Sequence, residues 1–337
     1  MNSLERIKAA VNFETPDRVP VIAQVFGHAA ILDNVALDKY VRDGELIARS
    51  QIKALEYYGY DAVFALMDVS VETEATGSVL TYLQNRYPFV KSYVFSRGAN
   101  LESLSVPNPH KAGRMPELLK AAKILRREVG GEVLVVGCVL GPMTLAMQLL
   151  GPETALYLAI DDPESFARLL DFSTEVTTTF GLAQVEAGVH LPIVFDPSAS
   201  PAVVPDQFFR EFELPQLKRV FASFKEAGAV ANWLHIAGPT DLILPFYPQA
   251  GVDIANFDYC VDPLDAQKAL PQTCLDGNIK PLSFVQATPE EIAAESSTLL
   301  GMFADRRGFI LSPGCEIPPE ANPENVKALV LASRKRR

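Results

Sequence analysis

Two residue types in this chain are scarce and placed where they could do chemistry. Its four cysteines stand at 138, 260, 274 and 315, and its four histidines at 28, 110, 190 and 235. His235 and Cys315 each lie at or just past the end of a short apolar run, Val230–His235 and Phe309–Ser312. Zinc catalysis takes about three protein ligands from Cys, His or carboxylate and keeps one position open. The metal lowers the pKa of whatever fills that position, so a bound thiol becomes a thiolate at neutral pH. His235 and Cys315 would supply two such ligands. Cys260, close past the run Val252–Asp258, is the first choice for a third, with Glu316, Asp196 and Asp258 as carboxylate options. A histidine with its hydrogen bonds met and an inert thiol fit the same positions. Cys138 and Cys274 sit inside apolar runs and read as packing, while His110 and His190 read as loop residues without a role.

Other polar residues recur at the ends of apolar runs. They are His28 after Pro20–Phe26, Asp68 ending Asp61–Asp68, Asp196 and Ser198 after Leu191–Asp196, Asp258, and Gly277-Asn278 in Cys274–Ile279. With Val133–Val139 the runs number eight, each rich in Val, Ile, Phe or Leu, the pattern of buried parallel strands. Helical patterns separate them. Pro163–Ala187 opens after Asp162 and stops at Gly188, and Pro205–Ala227 stops at Gly228. Thr288-Pro289-Glu290-Glu291 and Asn322-Pro323-Glu324 each combine a capping residue, a proline in the first turn and acids. Eight strands alternating with helices predict a (β/α)8 TIM barrel, whose active site forms where strands end at the C-terminal face. Val69–Val94 breaks the alternation and reads as a β-ribbon inserted after the second strand. A doubly wound sheet is the alternative, but no Gly-x-Gly-x-x-Gly follows the first run. With no repeat and no linker, residues 1–337 read as a single domain.

Composition narrows the partners. The 337 residues carry a net charge of -11, and 48% are hydrophobic, which excludes a disordered chain. An acidic surface repels phosphate backbones, so nucleic acid is not expected. Four scattered cysteines make no disulfide frame, and Met1–Asn12 is amphipathic rather than a signal peptide, so a cytoplasmic setting is the expectation. Val133–Pro152 has no formal charge, but Gly137, Gly141, Pro142, Thr144 and Gln148 make it a strand, a turn and a helix start rather than a membrane span. The terminal Arg334-Lys335-Arg336-Arg337 reads as a solvated tail on a helix end.

Several blocks resemble the uroporphyrinogen decarboxylase superfamily. They are Thr15–Pro20 (TPDRVP), Gly137–Leu145 (GCVLGPMTL), Ile193–Ser198 (IVFDPS), His235–Gly238 (HIAG), Gly277–Pro281 (GNIKP) and Phe309–Pro319 (FILSPGCEIPP). They run in the family's order from end to end. The resemblance implies a (β/α)8 barrel and one of two activities. One is cofactor-free decarboxylation of a tetrapyrrole. The other is methyl transfer between a corrinoid protein and a thiol or folate acceptor, or from a small methylated substrate. The Ser-Pro-Gly-Cys-x-Ile-Pro-Pro block resembles the methyltransferase branch.

Two departures weigh on the choice. The decarboxylases' first-strand motif brings two arginines to a polycarboxylate, and Arg suits bidentate carboxylate recognition. Here Val25 and Ala29 stand at those places, and no Arg or Lys occurs between Arg18 and Lys39. The methyltransferase branch carries His-x-Cys…Cys as zinc ligands, whereas here Ala237 follows His235-Ile236, and Lys280 stands where the family usually has Asp. The expectation is a corrinoid-linked methyltransferase. Asp68, Asp196, His235 and Asn278 would be catalytic, and His28, Ser198, Asp258 and Gly277 would bind substrate. Any zinc would sit on His235, Cys315 and Cys260. A corrinoid protein would be the partner, and a homodimer the assembly usual for such barrels. The alternatives are a cofactor-free lyase using Asp68 and His235, and a non-catalytic barrel holding a corrinoid protein or tetrapyrrole.

Overall fold

A computed structural model describes residues 1–95 and 105–334. Lys335, Arg336 and Arg337 of the basic tail lie outside them. Among the described residues there are nine strands: β1 Ala62–Phe64, β2 Val79–Thr81, β3 Phe89–Ser92, β4 Leu134–Leu140, β5 Leu191–Phe195, β6 Trp233–His235, β7 Ile254–Asn256, β8 Cys274–Ile279 and β9 Phe309–Pro313. Seven of them form one parallel sheet in the order β1-β4-β5-β6-β7-β8-β9, and β2 and β3 form a separate antiparallel pair. Helices connect the parallel strands, and the sheet curls in the manner of a TIM barrel.

The run Pro20–Phe26 is not a regular strand. It makes a single parallel bridge, Val21 to Leu311. Ile22 N donates to Leu311 O at 3.1 Å, and Asp61 N donates to Val21 O at 2.8 Å, so residues 20–22 reach from β9 to the chain entering β1. Two features end the pairing. Pro20 has no N–H, and Gln24 takes a left-handed φ of 45° that turns the chain inward.

Strand alternation sorts the core into two shells. Ile22, Phe64, Val136, Ile193, Trp233, Ile254, Cys274 and Ile310 share an inner cluster, which the helix Ser3–Val11 closes from below through Ile7 and Ala10. Val63, Val135, Val194, Leu234, Ala255, Leu275 and Leu311 face the surrounding helices. The Thr15–Pro20 block has a structural use. Arg6 bridges Asp17 at 2.6 Å and Asp61 at 2.7 Å, and Arg18 reaches the same buried Asp61 at 2.8 Å.

Helix ends follow local chemistry. Asp162 accepts from Ser165 N, and Gly188 leaves the helix Pro163–Ala187 at φ 109°. Thr288 and Glu291 form a capping box. The expected helix Pro205–Ala227 is interrupted. It divides into Asp206–Phe208, a π-turn Phe209–Glu213 and Leu214–Glu226. Pro215 cannot donate to residue 211, and the chain accommodates that gap with a wider turn, which leaves Glu213 buried. Among the described residues no helix is long and apolar enough to cross a membrane, and Val133–Pro152 divides between β4 and the helix Pro142–Leu150.

Candidate active site

The inward positions of the last strands turn polar at their C-terminal ends. On β6 Trp233 is followed by His235, on β7 Ile254 by Asn256, on β8 Cys274 by Asp276, and on β9 Ile310 by Ser312. His235 pairs in register with Asn256, and Asn256 with Asp276. Asn256 Nδ2 donates to Asp276 Oδ2 at 2.9 Å, and Gln24 Nε2 donates to Ser312 Oγ at 3.1 Å. His235 packs against the Phe195 ring, with centroids 4.6 Å apart. Burial pushes the His235 imidazole down to about 3, so it is neutral, and pushes the Asp276 carboxyl up to about 7.

A second polar group surrounds Asp68. Its carboxylate accepts from Ser70 N at 2.9 Å, from the Ser70 hydroxyl and from both terminal nitrogens of Arg114. Arg114 also meets Glu74 at 2.6 Å and Val41 O at 2.8 Å. Burial works against its charge, but the acids, Asp68 first, raise its pKa overall. The stretch without cations between Arg18 and Lys39 is therefore offset at Asp68 by an arginine distant in sequence. That guanidinium is already engaged by two carboxylates. Glu72 lies beside this pair and accepts from Leu140 N at 2.8 Å. Burial pushes Glu72 up to about 7, which suits proton exchange at neutral pH. Burial first, and then the nearby Glu72 and Asp68, push the inward thiol of Cys138 well up, so it stays protonated.

The remaining expected residues serve the framework. Asp196 Oδ1 accepts from Thr144 N at 2.8 Å and Thr144 Oγ1 at 2.6 Å, anchoring the start of the helix Pro142–Leu150. The carboxyl of Glu213 from the π-turn lies against it, and burial plus the Asp196 charge hold Glu213 protonated. Asp196 follows β5 outside the inward series 191, 193 and 195. A Cβ at Gly141 would meet Asp196 Cγ at 2.3 Å, so this approach requires glycine. Ser198 is half-buried, and its N–H donates to Thr144 Oγ1 at 3.0 Å. Asp258 accepts from Gly238 N and Tyr259 N, each at 2.6 Å, and Asn278 Nδ2 donates to Asp258 O at 3.2 Å and Val261 O at 2.9 Å. At Gly277 a Cβ would meet Phe257 O at 2.7 Å, so its backbone packs against a neighbouring strand. His28 has no nitrogen free for substrate. Nδ1 meets Pro319 O at 3.0 Å and Nε2 meets Tyr58 OH at 2.7 Å. His190 is likewise structural, accepting from Val135 N at 2.9 Å.

The zinc set does not assemble. Among the described residues no group of three or more His, Cys, Asp or Glu side chains could hold a metal ion. Cys260 is exposed, whereas Cys315 is part-buried. Ala237 offers no donor, and Glu316 is engaged by Tyr87 OH at 2.5 Å and Gly27 N at 3.3 Å. The residues present do not fit a three-ligand zinc centre on His235, Cys260 and Cys315.

Comparison with known proteins decides the lineage. The family model described as uroporphyrinogen decarboxylase (URO-D) matches residues 2–336. The chain belongs to the URO-D family. It is 31% identical over 335 residues to a methylcobamide:CoM methyltransferase, MtaA, of Methanosarcina barkeri, covering 97% of this chain and 96% of that protein. A uroporphyrinogen decarboxylase of Syntrophotalea carbinolica is 27% identical over 307 residues, with 89% and 87% covered. The solved structure of a methyltransferase from Methanosarcina mazei superposes with a TM-score of 0.91 at 27% identity, covering 99% of both chains.

Sequence reasoning missed Arg114, Glu72, Gln24 and Asn256. Asn256 carried a signal: it stands two residues after inward Ile254, where a polar side chain faces the interior. Arg114 carried none, because only the fold brings it to Asp68.

Proposed function

We propose that this URO-D family member is a corrinoid-linked methyltransferase, moving a methyl group between a partner corrinoid protein and a small substrate or thiol or folate acceptor. The observation that carries the reading is the end-to-end likeness to a methyltransferase structure, at a TM-score of 0.91 over 99% of both chains. The chemistry of the strand ends supports it, since Arg114, the cation beside Asp68, is taken up by Asp68 and Glu74 and leaves none there for a polycarboxylate.

The corrinoid supplies cobalt as the methyl carrier. The chain's own residues bind, orient and keep water out. Neutral His235 offers one donor and one acceptor nitrogen, and the Phe195 and Trp233 rings beside it exclude water. Glu72, near 7 beside the mouth of β4, is the group suited to take or return an acceptor's proton. Asp68 stays fixed by Arg114 as a charged wall. Asp196, Asn278, Asp258, Ser198 and Gly277 position the loops. This reading includes a closed (β/α)8 barrel in which the bridged residues 20–22 take the first-strand position, β2–β3 as an inserted ribbon, one domain over residues 1–337, a cytoplasmic setting and a homodimer.

The test is a spectroscopic assay with methylcobalamin and a thiol such as coenzyme M. Loss of the methyl–cobalt absorbance that depends on the chain supports methyl transfer. Carbon dioxide release from a pyrrolic polycarboxylate, without methyl transfer, would make the chain a lyase instead.

A further inference from the structure

The catalytic end of the sheet contains buried polar atoms that have no hydrogen-bond partner within the protein. They are Gln24 Oε1, Asn256 Oδ1, Asp276 Oδ1 and both ring nitrogens of His235. All four residues are at most 1% exposed. The amide orientations are fixed by their neighbours. Gln24 Nε2 faces the carbonyl of Pro313 at 3.1 Å, and Asn256 Nδ2 faces Asp276 O at 3.1 Å and Oδ2 at 2.9 Å. Carbonyl and carboxylate oxygens only accept, so each nitrogen must point at them and each amide oxygen must point away. The Trp233 indole N–H approaches Asp276 without completing a hydrogen bond.

The free capacity is therefore three acceptor oxygens, one imidazole and the single Trp233 N–H donor, so acceptors predominate. One of the three belongs to a carboxyl, and no cation is among the groups acting on it. Each unmet buried acceptor carries an uncompensated desolvation cost, so the set favours a ligand that brings several donors. A carboxylate, sulfonate or thiolate would add acceptors and repulsion. A quaternary ammonium has charge but no N–H. A primary or secondary ammonium has both, and its methyl groups would meet the rings of Phe195 and Trp233, where aromatic faces also attract cations.

We propose that Gln24, His235, Asn256 and Asp276 form the recognition site for a small N–H-bearing organic cation of the methylammonium class. The proposal rests on the methyltransferase reading and names the substrate class of that site. Asp276 supplies the counter-charge, the two amide oxygens and His235 fix the N–H groups, and the aromatic rings hold the methyl.

The chain reports on this site by itself, because Trp233 is its single tryptophan. The experiment titrates the purified chain with methylammonium chloride, dimethylammonium chloride, tetramethylammonium chloride, methanol and potassium chloride, following Trp233 fluorescence. The expected result is a saturable change with the first two, and affinities at least about ten-fold weaker for tetramethylammonium, which lacks N–H, and methanol, which lacks charge. Asp276→Asn weakens methylammonium by about ten-fold or more. If that variant does not fold, the ligand series on the unmodified chain decides alone. Equal responses to methanol and methylammonium, or no saturable response to methylammonium, overturn the proposal. Methyl transfer from methylcobalamin to a thiol is measured on the same preparation. Transfer without methylammonium binding overturns this site alone, and selective binding without transfer overturns the methyltransferase reading alone.

Discussion

Replacing Arg114 with Met tests how the acid corner is built. Asp68 is 2% exposed at its side chain and Arg114 9%, and Arg114 also engages Glu74 and the Val41 carbonyl. Removing one member of a buried ion pair costs about 3–5 kcal/mol, because the surviving charge is left without compensation. The chain's overall stability is expected to be on the order of 5–15 kcal/mol, so Arg114→Met removes a large share of it. Removing both charges with Asp68→Asn and Arg114→Met leaves no orphan and is expected to cost less than the sum of the singles by about 1–3 kcal/mol. Arg114→Lys keeps the charge but not the fork that meets Asp68 and Glu74 together, so an intermediate loss is expected. The assay is urea unfolding followed by fluorescence and circular dichroism, with midpoints compared at equal slope. A loss below about 1 kcal/mol for Arg114→Met, or strict additivity in the cycle, would refute the ion pair as the organiser of this corner.

Other expectations follow from the same contacts. The folded pKa of Glu72, about 7, lies above the ordinary 4.5, so its contribution is full below about pH 4.5 and lost as pH rises through 7. Glu72→Gln, which keeps an acceptor for Leu140 N, should raise stability at pH 8 by about 1–3 kcal/mol relative to pH 5 in pH-dependent urea melts. His28→Ala leaves Tyr58 OH and Pro319 O unpaired and should cost about 1–3 kcal/mol in the same melts, with KM unchanged. A raised KM would instead put His28 in the substrate site. Gly141→Ala would force a Cβ to within 2.3 Å of Asp196 Cγ and should destabilise by at least about 1–3 kcal/mol, read as a lowered Tm. Dialysis against a chelator should leave melting and thiol titre unchanged. One zinc per chain, released by Cys315→Ala, would contradict the donor placement described above.

Much of the scaffold was legible because its signals are local. The run Cys274–Ile279 is β8 as it stands, and Pro163–Ala187 is a helix with the cap and stop expected of it. What depended on distant contacts was not legible. The first strand shrinks to one bridge because Gln24 takes a left-handed φ. Pro215 turns an expected straight helix into one with a π-turn that buries Glu213 beside Asp196. At the site, residue type and strand-end position marked His235 and Asp68, but could not distinguish a free side chain from a committed one. His28 and Asp258 share the chemistry of site residues, yet their polar atoms are met by Tyr58, Pro319, Gly238 and Tyr259. Conversely, Gln24 carried no mark in the sequence and Asn256 only its place two residues after inward Ile254, and only the folded structure shows that their amide oxygens are unmet.

The central claim is that this barrel passes a methyl group with His235 in its site. It is tested most directly by isotope transfer from a corrinoid carrying a CD3 group to a thiol, with mass spectrometry of the product. The expected result is a CD3-thioether whose formation requires the chain and falls at least about a hundred-fold in a folded His235→Ala variant. Absence of labelled product with any thiol or folate acceptor, or an unchanged rate in His235→Ala, would contradict it.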